Sequence, residues 1–243
     1  MKPTCTVILS GGQDSTTALA WAKTKFVEVH AITFFYAQRH IRELAAARKV
    51  AEVLGVNSHE FINIGDNVLV GTSPLIDKSV SIPKYKDIDS MPLGVEPTFV
   101  PGRNLLFLTI AANRAYLLGI KNVVLGVCQV DSGGYYDTKD IFIKQATEAI
   151  RLGVFGENSD FIIHAPLLDL SKKQIVLLSK SLGILPLMKY THTCYKNSFP
   201  PCGFCHACLL RERGFMEAGV IDPLIEQKND PLVSTKNPAL SFI

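Results

Sequence analysis

Ser10, Gly11 and Gly12 follow three apolar residues, Val7 to Leu9, and run into Gln13, Asp14, Ser15, Thr16 and Thr17 before Ala-Leu-Ala-Trp-Ala. An apolar strand, a glycine turn and a helix start so close together suit one task. Glycines let backbone N–H groups approach phosphate oxygens, and the N-terminus of a helix favours negative charge. Ser10, Gly11 and Gly12 would form the cradle, with Asp14 or Ser15 capping the helix. The loop lacks the lysine of a Walker A motif and the spacing of a dinucleotide fingerprint, so it points to pyrophosphate held by backbone and hydroxyl groups. An ordinary glycine turn with a helix cap is the bland alternative.

A second constellation lies near the C-terminus. Cys194, Cys202, Cys205 and Cys208 are spaced Cys-x7-Cys-x2-Cys-x2-Cys, and four thiolates at such spacing suit a closed structural Zn2+ site. An iron-sulfur cluster and redox disulfides are the rivals. His206 sits inside the cluster without being needed as a ligand. Cys5 and Cys128 lie on or beside strand candidates and read as inert core residues. Lys189, Lys196, Arg211 and Arg213 are the cations available to offset a zinc-thiolate centre.

These groups need a scaffold, and hydrophobic periodicity supplies one. Strand candidates are Cys5 to Leu9, Val27 to Phe35, His59 to Ile64, Asn122 to Val127 and Phe161 to His164. Helix candidates are Ser15 to Lys25, Ile41 to Leu54, Asn104 to Leu118, Ile141 to Leu152 and Ser171 to Leu182. Strands alternating with helices predict an α/β fold: a doubly wound, mainly parallel, Rossmann-like sheet covered on both faces. The Pro-, Ser- and Asp-rich stretch from Gly65 to Arg103 interrupts the alternation, and a loop of that length is usually a functional lid or mobile.

Composition narrows the partners. The chain of 243 residues is 47% hydrophobic and 19% charged with a net charge of +3, so it is globular, with no basic run for stable nucleic-acid binding. The opening residues carry no signal-peptide pattern, and the longest apolar stretch, 105–118, holds Asn113 and Arg114 and is too short to span a membrane. A cytoplasmic protein with reduced cysteines and a small-molecule partner is expected.

The string Ser10 to Ser15 resembles the PP-loop of the ATP pyrophosphatase superfamily, whose members adenylate an oxygen atom and release pyrophosphate. Ala37 to His40 (AQRH), Thr98 to Asn104 (TFVPGRN), Gly126 to Tyr135 (GVCQVDSGGY) and the cysteine cluster, in that order, resemble the 7-cyano-7-deazaguanine synthase (QueC) family from about Val7 to Arg211. The resemblance implies ATP with Mg2+ as well as Zn2+, and conversion of 7-carboxy-7-deazaguanine and ammonia into the nitrile preQ0, a precursor of queuosine and archaeosine. It also implies a homodimer. Residues 1–188 would form the PP-loop nucleotide-binding domain and 189–243 a zinc-bearing helical extension.

The resemblance assigns nucleotide contacts to Leu9, Ser10, Gly11, Gly12, Gln13, Asp14, Ser15 and Thr16, with Arg103 and Asn104 at the head of an apolar helix. Ser10, Asp14, Ser15, Arg103 and Lys172 would act in catalysis, and Lys172 matches a family lysine able to meet the α-phosphate. Gln38, Arg39, His40, Asp131, Tyr135, Asp137 and Lys139 would hold the deazaguanine, the carboxylates pairing with its N–H groups and Tyr135 stacking on the ring. Three departures fall near the substrate: Ala37 in place of glycine, Tyr135 to Lys139 (YYDTK) in place of a pattern like Tyr-Pro-Asp-Cys-Arg, and Gln174 in place of an acidic residue. They leave open an enzyme that stops at the amide, or one that joins a deazaguanine to another macromolecule. A PP-loop enzyme modifying a tRNA base and a non-catalytic ATP sensor are the remaining alternatives.

Overall fold

The computed structural model describes residues 3–131, 133–227, 229, 230 and 232. Five strands, β1 (Thr4–Ile8), β2 (Glu28–Phe35), β3 (Ser58–Asn63), β4 (Asn122–Leu125) and β5 (Ile162–His164), pair in parallel in the order β3-β2-β1-β4-β5. β1 and β4 lie between neighbours on both sides and are almost wholly buried, as their apolar runs require once both faces of a parallel sheet are covered.

Alternate residues feed two cores. Ile8, Ile32, Val123, Leu125 and Ile163 pack against α3 (Arg103–Leu117) and α4 (Asp140–Ile150). Val7, Leu9, Val29, Ala31 and Val124 pack on the other face, against α1 (Gln13–Lys25), α2 (Arg42–Leu54) and α5 (Lys172–Ser181). Strand order reverses between β1 and β4, so the connections leaving their C-terminal ends diverge and open a crevice.

The five strands and five helices expected from periodicity are present, with ends shifted by no more than two residues. Three features differ. The cap of α1 is Gly12 in extended conformation with no side-chain bond, so neither Asp14 nor Ser15 caps it. A sixth helix, α6 (His206–Glu217), starts inside the cysteine cluster and packs on α5. The stretch after β3 is a packed cover, in which Leu75, Ile82 and Val100 lie against Cys194, Cys205 and Cys208. Arg39 fastens this cover: its N–H donates to the Leu75 carbonyl at 2.8 Å and its guanidinium to the carbonyls of Asp77 and Val80 at 3.0 and 2.9 Å.

Backbone proximity is tightest at Gly11, with φ +90°, where an added Cβ would come within 2.2 Å of the Glu43 carbonyl oxygen and 2.5 Å of the Ala47 nitrogen. Gly55, which ends α2 with φ +63°, has open space around it. Gly11→Ala combines positive-φ strain with overpacking against backbone and is expected to cost about 3 kcal/mol or more. Gly55→Ala carries only the strain, about 1 kcal/mol. Urea unfolding of both variants checks the order.

Candidate active site

In the loop after β1, the Ser15 hydroxyl accepts from the N–H groups of Ser10 and Gly11, each at 3.2 Å, and donates to the Gly12 carbonyl at 3.1 Å. The Ser10 hydroxyl accepts from the Gly12 N–H at 3.3 Å and lies 3.0 Å from that of Ser15. The loop N–H groups therefore converge on oxygen atoms, the arrangement an anion needs, with two serine hydroxyls filling it. Gln13 is buried, and its Nε2 has no hydrogen-bond partner among the described residues.

A cavity of ≈ 270 Å³ opens from this loop into the crevice between β1 and β4. Leu9, Ser10, Gly12, Gln13, Asp14 and Ser15 form one wall; Gly126 to Cys128, Asp131 and Tyr135 form another; Arg103, Asn104 and Lys172 bring polar groups. Phe34 and Phe107, stacked with ring centres 4.2 Å apart, add an apolar surface. Gly126 has no room for a Cβ, which would lie 2.8 Å from the Ser15 Cα, so β4 delivers its loop directly onto the start of α1.

The charges come in compensated sets. Lys172 is ion-paired with Asp14, and its Nζ lies 3.5 Å from the Cys128 sulfur. Burial works to lower the Lys172 ammonium, but the Asp14 carboxylate and the Cys128 thiol hold it above its ordinary range. Asp131 accepts from the Lys172 backbone N–H at 2.8 Å and pairs with Arg213 at 2.5 Å. Lys172 is the first residue of α5, where Ser171 and Gln174 complete a capping box, so the Gln174 departure serves the helix start. Burial also disfavours the Arg103 cation; Tyr36, Asp137 and Tyr135 outweigh it and raise the guanidinium, which donates to the Tyr36 hydroxyl at 3.3 Å.

Of the seven residues expected at the deazaguanine, His40, Asp131 and Tyr135 line the cavity. Gln38, Arg39, Asp137 and Lys139 do not, and nor do Gly11 and Thr16 of the loop. Gln38 braces its own turn, donating to the Phe34 carbonyl at 3.1 Å and to Glu43 at 2.9 Å while accepting from the Tyr36 N–H at 2.8 Å. Arg39 points into the packed cover. Asp137 accepts from the Asn104 N–H at 3.3 Å at the head of α3, and Lys139 occupies the N-cap of α4. Cys128, read from sequence as core, is buried and also lines the cavity, with its thiol pushed up by burial. Tyr36, Glu43, His192, Thr193, Tyr195, His206 and Leu210 line it unannounced by any motif, although His192, Thr193 and Tyr195 flank the first cluster cysteine.

The sulfurs of Cys194, Cys202, Cys205 and Cys208 lie within 4.8 Å of one another, with Cys202 and Cys208 3.9 Å apart. Four sulfurs about 2.3 Å from a tetrahedral zinc would stand about 3.8 Å apart, so the set fits that ion. Of the cations expected nearby, Arg211 pairs with Asp222 and Arg213 with Asp131, Lys189 lies over the ring of Tyr190, and Lys196 lies over the ring of Phe204, between Cys202 and Cys205. The cluster segment is stitched into the site. The His192 N–H donates to the Gly11 carbonyl at 3.0 Å, and the Asn197 side chain accepts from the Arg42 N–H at 2.8 Å at the head of α2. The Tyr85 N–H in the cover donates to the Phe204 carbonyl at 2.9 Å.

The model of the family described as queuosine biosynthesis protein QueC matches residues 4–219. A protein of Gloeobacter violaceus named 7-cyano-7-deazaguanine synthase is 47% identical over 229 residues, covering 93% of this chain and 97% of the relative. Relatives of the same name from Laribacter hongkongensis and Chromobacterium violaceum are 44% and 45% identical, over 91% of this chain in each case and 93% and 92% of their own lengths.

Removal by chelation of a metal held by the four cysteines, or Cys205→Ser, is expected to release the stretch from residue 191 to the start of α6 before the sheet opens, because thiolate-metal bonds would hold that stretch while the sheet has its own cores. Hydrogen exchange should show the amides of His192, Arg42 and Tyr85 losing protection while those of β1 and β4 keep it.

Proposed function

The chain belongs to the QueC family, and from that membership we propose that it converts 7-carboxy-7-deazaguanine, ammonia and ATP into 7-cyano-7-deazaguanine by way of an adenylated carboxylate and then an adenylated amide. The observation that carries this reading is the shared enclosure: one cavity joins the convergent N–H groups after β1 to an aromatic and acidic wall after β2 and β4. A planar base and the α-phosphate can therefore meet away from bulk water, which lets fixed charges act strongly on the reacting atoms.

A carboxylate oxygen is a poor leaving group, and adenylation turns it into a good one for displacement by ammonia. Adenylating the amide oxygen in turn allows elimination to the nitrile. The loop N–H groups and Ser10 would hold phosphate, with Lys172 and Arg103 neutralising charge as it develops. Asp131 would accept from the base's N–H groups and Tyr135 would flank the ring. Asp14, on the loop wall of the cavity, is the carboxylate that would be available to Mg2+ arriving with the triphosphate. Of the altered residues Tyr136, Thr138 and Lys139, only Thr138 lines the cavity, which favours the nitrile over a reaction that stops at the amide.

The cluster fits Zn2+ in a structural role, on the 189–243 extension that follows the PP-loop domain. No described helix is long and apolar enough to cross a membrane, and the mild net charge fits a cytoplasmic protein without stable nucleic-acid binding. Exposed Leu105, Tyr116, Leu117 and Leu118, on and just past α3, offer an apolar face for a homodimer.

A time course with 7-carboxy-7-deazaguanine, ammonium and ATP should show amide rising and then falling, with two AMP formed per nitrile. Amide accumulating at one AMP each, with added amide left unconsumed, would establish the shorter reaction instead. Ser10→Ala and Asp14→Asn should each lower turnover ~100-fold through lost transition-state contacts. Asp14→Asn also leaves Lys172 buried without its counter-ion, so adding Lys172→Met should cost less than the sum of the two single changes in steady-state kinetics.

A further inference from the structure

His40 and Glu43 stand three residues apart where the chain turns from β2 into α2, and both line the cavity. His40 Nε2 lies 3.3 Å from Glu43 Oε2, and Gln38 donates to the other carboxylate oxygen at 2.9 Å. The turn thus directs Gln38 and His40 to Glu43 and sends Arg39 between them the opposite way. An imidazole beside an ionised carboxylate keeps its hydrogen on the facing nitrogen, which leaves a lone pair on the other. That other nitrogen, Nδ1, is buried and has no hydrogen-bond partner among the described residues, although the side chain borders the cavity. A buried acceptor on a ring that borders a reaction chamber is satisfied by a proton donor from the ligand.

Building on the reaction proposed above, we propose that His40 is the proton acceptor for its C–N chemistry, that Glu43 positions its ring and tautomer, and that Gln38 fixes Glu43. In amide formation, ammonia's nitrogen bonds to the carbonyl carbon, the C–O bond to AMP breaks with its electron pair leaving on AMP, and the surplus proton on nitrogen passes to Nδ1. In nitrile formation the amide nitrogen gives up both protons: the first leaves with pyrophosphate as the oxygen is adenylated to the neutral imidate, and Nδ1 takes the second. The freed pair becomes the third C–N bond as the C–O bond breaks and AMP departs. The imidazolium formed each time faces the Glu43 carboxylate. Burial tends to raise that carboxyl, but His40, Gln38 and Arg103 hold it below its ordinary range.

The titratable and charged groups facing this pair are Tyr36 after β2, Arg103 from α3, and His192 and Tyr195 from the cluster segment. Burial first, then nearby cations, brings His192 down to about 4, below the range in which an ordinary histidine titrates. The test follows substrate-dependent ATP-pyrophosphate exchange, which reads adenylation alone, beside amide and nitrile formation. H40N should lower conversion of amide to nitrile ~100-fold or more and exchange far less. E43Q should lower nitrile formation while keeping most of the exchange, and E43D should restore part of the rate. Equal losses of exchange and nitrile in H40N, or an E43D variant no faster than E43Q, would overturn the assignment. Wild-type chain that exchanges pyrophosphate yet forms neither amide nor nitrile would instead overturn the reaction, and the role of His40 with it.

Discussion

Four cysteine sulfurs within 4.8 Å of one another set a constraint from which much of the site follows. As thiolates they would repel, and a cation bound among them would hold that spacing. The cluster segment then becomes a rigid strap rather than an appendage. It donates from His192 to the Gly11 carbonyl, accepts from the Arg42 N–H at the head of α2 and anchors the cover through Phe204. His192, Thr193 and Tyr195 on that strap reach the same cavity as the loop after β1. Metal binding and the shape of the chamber are therefore one problem, even though the sulfurs belong to a different wall from the phosphate cradle.

The second constraint is backbone proximity at the crevice. Gly11 lets the loop after β1 press against α2, and Gly126 lets the loop after β4 press against the start of α1. Together they draw two sheet connections close enough for one cavity to touch both. Neither glycine serves the chemistry directly; each removes a Cβ that would wedge the walls apart.

The sheet was legible because its strands are short apolar runs between amphipathic helices, and a parallel sheet leaves that pattern strongly. The cysteine spacing and the Ser-Gly-Gly loop were legible because ligand geometry and phosphate approach restrict residue type tightly. A helical extension was expected from the resemblance, but the bounds of α6 were hidden, since its first turn carries cluster residues and its apolar face is read only once α5 lies against it. Gln38, Arg39 and His40 show the limit most clearly. Adjacent in sequence and after a strand, they read as one patch of substrate contacts, yet the turn sends them three ways: into a brace, into the cover and onto the cavity. Asp137 and Lys139 behave alike, because helix starts compete for the same polar residues that a ligand would use.

The charge pattern inside the cavity carries the synthesis one step further. Lys172 is paired with Asp14, Arg213 with Asp131, and Arg103 lies beside the Tyr36 hydroxyl and near Asp137. Lys172 and Arg213 are thus matched before any phosphate enters, whereas Arg103 makes no ion pair among the described residues and has the Tyr36 hydroxyl and the field of Asp137. A triphosphate reaching the loop would compete with Asp14 for Lys172, and the displaced carboxylate would then need a cation of its own. A metal ion carried in with the triphosphate would meet that need, because carboxylate and phosphate oxygens are the ligands Mg2+ takes. Asp14 would then pass from guarding a lysine to holding a metal, and the same pair that stabilises the empty fold would ready the site for its polyanion.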